Sequence, residues 1–129
     1  MGAGVQRIIK HMAEVKRDDI WLVNLDPTIG HEIKKSRPAV IIQNDLGNNY
    51  SPITIVAPIT SQNIEKLYPI EVFLARRNSG LEKDSKVLLN QIRAIDKKRL
   101  IKKLGNADYE TMAKVDNSIK ISLGLVKIE

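Results

Sequence analysis

Three short stretches hold the side chains whose types could do chemistry: GHEIKKSRP (30–38), APITSQ (57–62) and NQIRAID (90–96). In the first, Arg37 stands directly before Pro38, which biases the preceding residue toward extended backbone. The apolar run Ala39, Val40, Ile41 and Ile42 follows at once. A guanidinium restrained at the mouth of a buried strand has the planar fork that suits a phosphate or a developing oxyanion. On residue type alone, a strand-end arginine pairing with a surface carboxylate is the more ordinary reading. His31, behind Gly30 on the same loop, has the chemistry of a general base near neutral pH, although an exposed loop histidine ordinarily does none.

The second stretch gathers Thr60, Ser61 and Gln62 at a strand end, where hydroxyl and amide groups can converge on a ligand. Threonine is equally an ordinary strand residue. In the third, Asn90 and Gln91 carry amides able to read base edges, and Arg93 can hold a phosphate or stack. Beyond them KKRLIKK (97–103) places five bases in seven residues, which by itself reads as a solvated face.

Composition narrows the chemistry further. The chain of 129 residues has no cysteine, which excludes disulfides, thiolate chemistry and Cys-based zinc sites. His11 and His31 are the only histidines, so a transition-metal site would draw most of its ligands from carboxylates. No metal and no cofactor are expected. The net charge is +6, from 21 basic against 15 acidic residues, and favours a polyanionic or acidic partner. No apolar run approaches the roughly 20 residues that cross a bilayer, so no membrane role is expected and a cytoplasmic location is the default.

The elements that must position these residues are mostly strands. Residues 1–17 place Val5, Ile8, Ile9, Met12 and Val15 at helical spacing; a short amphipathic helix and a frayed extension both fit. From residue 18 the period changes to two. Strands are predicted over 19–25, 38–43, 53–60, 69–74 and 86–91, with Pro38 at the first position of its strand and Pro58 marking a bulge or an edge. A Gly30-hinged loop spans 26–37, NDLGNNYSP (44–52) reads as turn, and RRNSGLEKDS as a polar loop. Residues 93–104 read as strand, turn at 96–99, and strand. A helix begins at about Asp108, with Asn106 or Asp108 as its cap and Met112, Val115 and Ile119 on one face. The fold class is mainly β with a C-terminal helix (α+β).

Five stretches in this order, DIWLVNLDPTIGHE, KKSRPAVIIQNDLGN, SPITIVAPITSQ, NQIRAIDKKRL and MAKVDNSIKISLGL, resemble the MazF/PemK family of toxin endoribonucleases, from about Arg17 to Val126. The resemblance implies an SH3-like small barrel of the PemK/CcdB type over 18–129, with 1–17 as an extension. It implies a homodimer of a type II toxin–antitoxin system, an mRNA interferase that cuts single-stranded RNA at short words without metal. The nucleophile would be RNA's own 2′-OH, leaving 2′,3′-cyclic phosphate and 5′-OH ends. An acidic, MazE-like antitoxin would neutralise it, which suits a basic surface.

Carried over residue by residue, the resemblance implies that Arg37 and Thr60 are catalytic, in the matching contexts SRPAVII and APITSQ. His31 in GHE matches a second branch, whose arginine and aspartate fall here on Leu88 and Asn90. With that acid replaced, His31 is expected to assist or bind. Guanidinium stays protonated, so Arg37 is expected to stabilise the phosphorane rather than act as base. Glu32, Asn44, Asn48, Ser61, Gln62, Gln91 and Arg93 are expected to bind RNA. Two rival functions are a same-fold toxin that inhibits DNA gyrase by protein binding, and an RNA-binding module without catalysis. Five aromatics (Trp21, Tyr50, Tyr68, Phe73, Tyr109) leave little for the stacking platform of the latter.

Overall fold

The computed structural model describes residues 14–127, so most of the expected 1–17 helix lies outside the described residues. Residues 14–18 run without helix into β1 (Asp19–Asn24), with Val15 buried. There follow β2 (Ser36–Ile41), a short helix α1 (Asp45–Tyr50), β3 (Ile53–Thr60), β4 (Glu71–Leu74), β5 (Ser85–Leu88) and β6 (Arg93–Asp96). A 3-10 turn, Lys97–Arg99, leads into β7 (Leu100–Asn106), and α2 (Tyr109–Ser122) closes the chain.

The pairings described are antiparallel, in the order β4-β5-β3-β2-β1-β7, with β6 branching from β3. The path does not close on itself, and the fold is small-barrel-like. Period-two alternation gives the sheet two apolar faces. One carries Ile20, Val40, Ala57, Ile59, Val72 and Val87 and is covered by Met112 and Val115 of α2. The other carries Val23, Ala39, Ile41, Val56 and Ile95, with Trp21 and Ile33 against it. Burial of these side chains, each worth roughly 1.5–3 kcal/mol, holds the strands at a fixed register.

Three local features differ from expectation, each for a readable reason. Pro38 is the third residue of β2, not the first; it fits because pairing with β3 starts only at Ala39↔Pro58. Pro58 is fully buried in mid-strand and marks neither a bulge nor an edge. It lies where β3 changes partners, from β6 (ending at Val56↔Arg93) to β5 (starting at Ile59↔Val87), so its missing N–H interrupts no ladder on that side. Residues 45–50 form a helix rather than a turn, because Asn44 Oδ1 accepts from Gly47 N at 2.8 Å and starts it. The cap of α2 is Asp108, accepting from Thr111 N at 2.8 Å. Gly80 (φ +82) and Gly105 lie backbone against backbone: a Cβ on Gly80 would come within 2.0 Å of Leu104 O, which pins the 76–84 loop to β7. No helix among the described residues is long and apolar enough to cross a membrane.

Candidate active site

The register of the sheet assembles the site. Val23 pairs with Arg37 across β1 and β2, Thr60 with Lys86 across β3 and β5, and Lys86 with Phe73 across β5 and β4. The β2–β3 ladder ends at Ala39↔Pro58; Arg37 and Thr60 each lie two residues beyond that pair, on the same face of the sheet. Cross-strand neighbours share a face of the sheet, with Cβ atoms roughly 5 Å apart. Thr60 and Lys86 are thus direct neighbours, and Arg37 extends their row on the same face from beyond the end of the β2–β3 ladder.

Arg37 is half-buried, and its Nε donates to Lys34 O at 2.7 Å. That bond turns the guanidinium back along its own loop and leaves both Nη groups to a cleft of about 560 Å³. Lys35, Lys83 and Lys102 line this cleft with Arg37, against the single carboxylate of Glu82. Ser61 lines it too, directly after Thr60. Four cations around an open cleft focus a positive potential where a phosphodiester would lie. Thr60 is nearly buried, and its Oγ1 accepts from Gln62 N at 3.2 Å, so the hydroxyl hydrogen is left to donate. Gln62 itself is exposed.

His31 and Glu32 stand on the exposed 26–35 loop and line a second cleft of about 430 Å³ with Pro58, Asn90, Gln91 and Arg93. The loop is tied at its base and on its flank. Asp26 Oδ1 accepts from Lys35 N at 3.0 Å, Arg93 Nη1 donates to Leu25 O at 2.9 Å, and Gln91 Oε1 accepts from Ile33 N at 2.8 Å. Gly30 takes φ +59 at the bend and Glu32 Oε1 accepts from Ile29 N at 2.7 Å, closing a turn at the tip. Arg93 pairs with Val56, on the same face of β3 as Pro58 and Thr60. The second cleft therefore neighbours the Arg37–Thr60 row along β3. Leu88, the position of the missing branch arginine, is buried, while Asn90 faces the second cleft.

Two of the expected RNA contacts are placed elsewhere. Asn44 lies beyond the far end of β2 from Arg37, where its Oδ1 caps α1. Asn48 is buried: its Nδ2 donates to Gln43 O at 2.9 Å, and its Oδ1 accepts from Thr54 Oγ1 at 2.8 Å and Gln43 Nε2 at 3.1 Å. Its backbone carbonyl receives the ammonium of Lys97, whose burial lowers that lysine's pKa. Nearby, the hydrogen bond from Arg17 N holds the Asp45 carboxyl below its ordinary value. Within one chain this polar cluster is scaffold and does not meet the Arg37–Thr60 row.

Residue types had not singled out Lys83, Lys86 or Glu71. The one signal was Lys86 itself, a charge placed inside the run SKVLL where every neighbour is buried. Among the described residues no three His, Asp or Glu side chains gather as metal ligands.

The family model for PemK-like, MazF-like toxins of type II toxin–antitoxin systems matches residues 16–123. The chain is similar to the Endoribonuclease EndoA of Bacillus subtilis (strain 168), at 46% identity over 112 residues, 87% of this chain and 97% of that protein. Among solved structures it is similar to MazF of Deinococcus radiodurans, with a TM-score of 0.75 and 26% identity over 87% of this chain and 98% of the other. It also shares its fold with an endoribonuclease from Mycobacterial species solved with its cognate antitoxin, at a TM-score of 0.73 and 19% identity, covering 88% of this chain and 99% of that one.

Proposed function

The chain belongs to the PemK-like, MazF-like toxin family of type II toxin–antitoxin systems, and on that premise we propose that it is a toxin endoribonuclease cutting single-stranded RNA without a metal ion. The observation that carries this reading is the cleft of four cations that Arg37 lines with Lys35, Lys83 and Lys102, with Ser61, next to Thr60 in the chain, on its wall. The 46% identity to a protein named an endoribonuclease supports it.

In the proposed reaction the 2′-oxygen bonds to the adjacent phosphorus and the bond from phosphorus to the 5′-oxygen breaks. The 2′-OH proton leaves to a base and the departing 5′-oxygen takes one up, giving 2′,3′-cyclic phosphate and 5′-OH ends. Negative charge grows on the phosphoryl oxygens in the transition state, and Arg37 meets it with a fork that carries its charge at every working pH. Thr60 donates its hydroxyl to a phosphoryl oxygen and sets the phosphate against Arg37. His31, carried on the tethered loop, assists or binds at the neighbouring cleft, where Glu32, Gln91 and Arg93 face the flanking nucleotides. Ser61 and Gln62 meet RNA on the Thr60 side. The working form is a homodimer, neutralised by an acidic MazE-like antitoxin, as the Mycobacterial relative was solved with its own antitoxin.

The test is incubation of the purified protein with a long single-stranded RNA in EDTA, with the cut ends mapped. Discrete cuts leaving 5′-OH ends are expected. Intact RNA after incubation with folded, antitoxin-free protein would overturn the reading.

A further inference from the structure

Lys86 and Glu71 form an ion pair with Nζ–Oε1 at 3.0 Å and side chains only 7% and 10% exposed. Such a pair is a weak source of stability, because desolvating two charges offsets most of their attraction and apolar residues of similar volume serve as well. Its placement is more informative. Val87 faces the core with Ile59 and Val72, so the adjacent Lys86 points to the opposite side of the sheet, the side of Thr60. Lys86 Nζ also donates to Lys66 O at 3.3 Å. Glu71 Oε1 accepts a second bond, from Tyr68 N at 3.1 Å, and Glu71 N donates to Tyr68 O at 2.8 Å.

The pair thus grips the 61–70 loop from beneath at Lys66 and Tyr68. An apolar pair could fill the same space but could not hold those two backbone groups. The other end of the loop is joined to Thr60, whose Oγ1 accepts from Gln62 N. Both ends of the loop are therefore fixed by polar contacts to the same row of the sheet.

Resting on the endoribonuclease reading above, we infer that Lys86 and Glu71 are positioning residues that seat the 61–70 loop beside Thr60 and thereby set which RNA words are cut and how fast. Neither group touches the scissile phosphate. They act through the loop backbone and through the orientation of the Thr60 hydroxyl.

Replacing the pair with apolar residues of similar size, K86M/E71L, tests this. The double variant is expected to keep its thermal midpoint, since buried pairs replaced in this way are often neutral. Cleavage of the preferred word is expected to fall roughly 10-fold or more, with discrimination against single-base variants of that word narrowed. Y68P removes the loop's donor to Glu71 with the buried pair intact, and is expected to shift the cut pattern in the same direction. Either variant, folded and cutting the wild-type words at the wild-type rate, would overturn the inference.

Amide hydrogen exchange over residues 62–68 supplies an arm that needs no RNA. It is expected to accelerate in K86M/E71L. Unchanged exchange would overturn the inference even if the wild-type protein cut no RNA, whereas failure of cleavage alone would count only against the endoribonuclease reading.

Discussion

Arg37 and Thr60 come from strands separated by a helix and a loop, yet each lies two residues beyond the Ala39–Pro58 pair on the same face of the sheet. A single guanidinium and a single hydroxyl, placed on adjacent strands, are the least a phosphodiester needs from its host: charge for the phosphoryl oxygens and a donor to orient them. Because strands hold their side chains more rigidly than loops, both groups are positioned by the fold itself.

Arg37→Ala is expected to lower cleavage at least about 10²–10³-fold, the usual cost of removing a preorganised charge donor. Arg37 is half-buried at a strand end and lies outside both core clusters, so its far-UV spectrum and thermal midpoint should stay near wild type. Arg37→Lys keeps the charge and loses the fork, and should fall between the two. Single-turnover cleavage of one defined RNA measures all three, and a folded, fully active Arg37→Ala protein would remove Arg37 from the mechanism.

Thr60→Val preserves shape and removes the hydroxyl, and should cost roughly 10²-fold in cleavage rate with little change in RNA affinity. Thr60→Ser should recover most of the rate, because the donor returns. If the serine variant is as slow as the valine variant, the methyl group rather than the hydroxyl is what matters.

Asn48→Ala should act on stability. It strips partners from the buried Thr54 Oγ1 and from the Gln43 carbonyl, while Gln43 Nε2 keeps its bond to Ile53 O. Leaving such groups unpaired costs about 2–3 kcal/mol, or roughly 10 °C of thermal midpoint in a domain this size. Measured per folded molecule at low temperature, cleavage by Asn48→Ala should be close to wild type; a large loss of cleavage there would instead make Asn48 an RNA contact.

Lys97 gives a sign to the alkaline limb of stability. Burial lowers its folded pKa, so between that value and the ordinary lysine value the unfolded chain binds more protons than the folded one. Stability from this group therefore rises as pH climbs through that window, and the cost of burying the charge is fully present below it. Urea unfolding between pH 7 and 10 should show a steeper rise in wild type than in Lys97→Met. Parallel curves would mean that Lys97 is held charged through its bond to Asn48 O.

Much of the architecture was legible along the chain because it rests on local rules. Period-two alternation marks β1 and β3 to within a residue, and the helical spacing of Met112, Val115 and Ile119 marks α2, with Asp108 one of the two caps that residue chemistry offers. Arg37 and Thr60 are candidates by residue type, and the order of five resembling stretches is what raises them above ordinary strand-end residues. Where local rules compete, the reading slipped. Asn44–Tyr50 has the composition of a turn, but a single cap and the packing of Asn48 under Thr54 make it helical. Pro58 looks like a breaker until the change of partner on β3 leaves its missing donor without consequence.

The sequence by itself determined the fold class, the basic charge, the absence of thiol chemistry and the residues able to handle a phosphate. Those depend on composition and on spacing within a few residues. Tertiary structure alone decided that Arg37, Thr60 and Lys86 share a face, that Lys86 and Glu71 share a buried bond under the 61–70 loop, and that Asn48 is buried against Gln43 and Thr54. The reason is physical: cross-strand contact brings together residues 15 to 26 positions apart, from Arg37 through Thr60 and Lys86 to Glu71, and a shift of one residue would turn each of them to the other face.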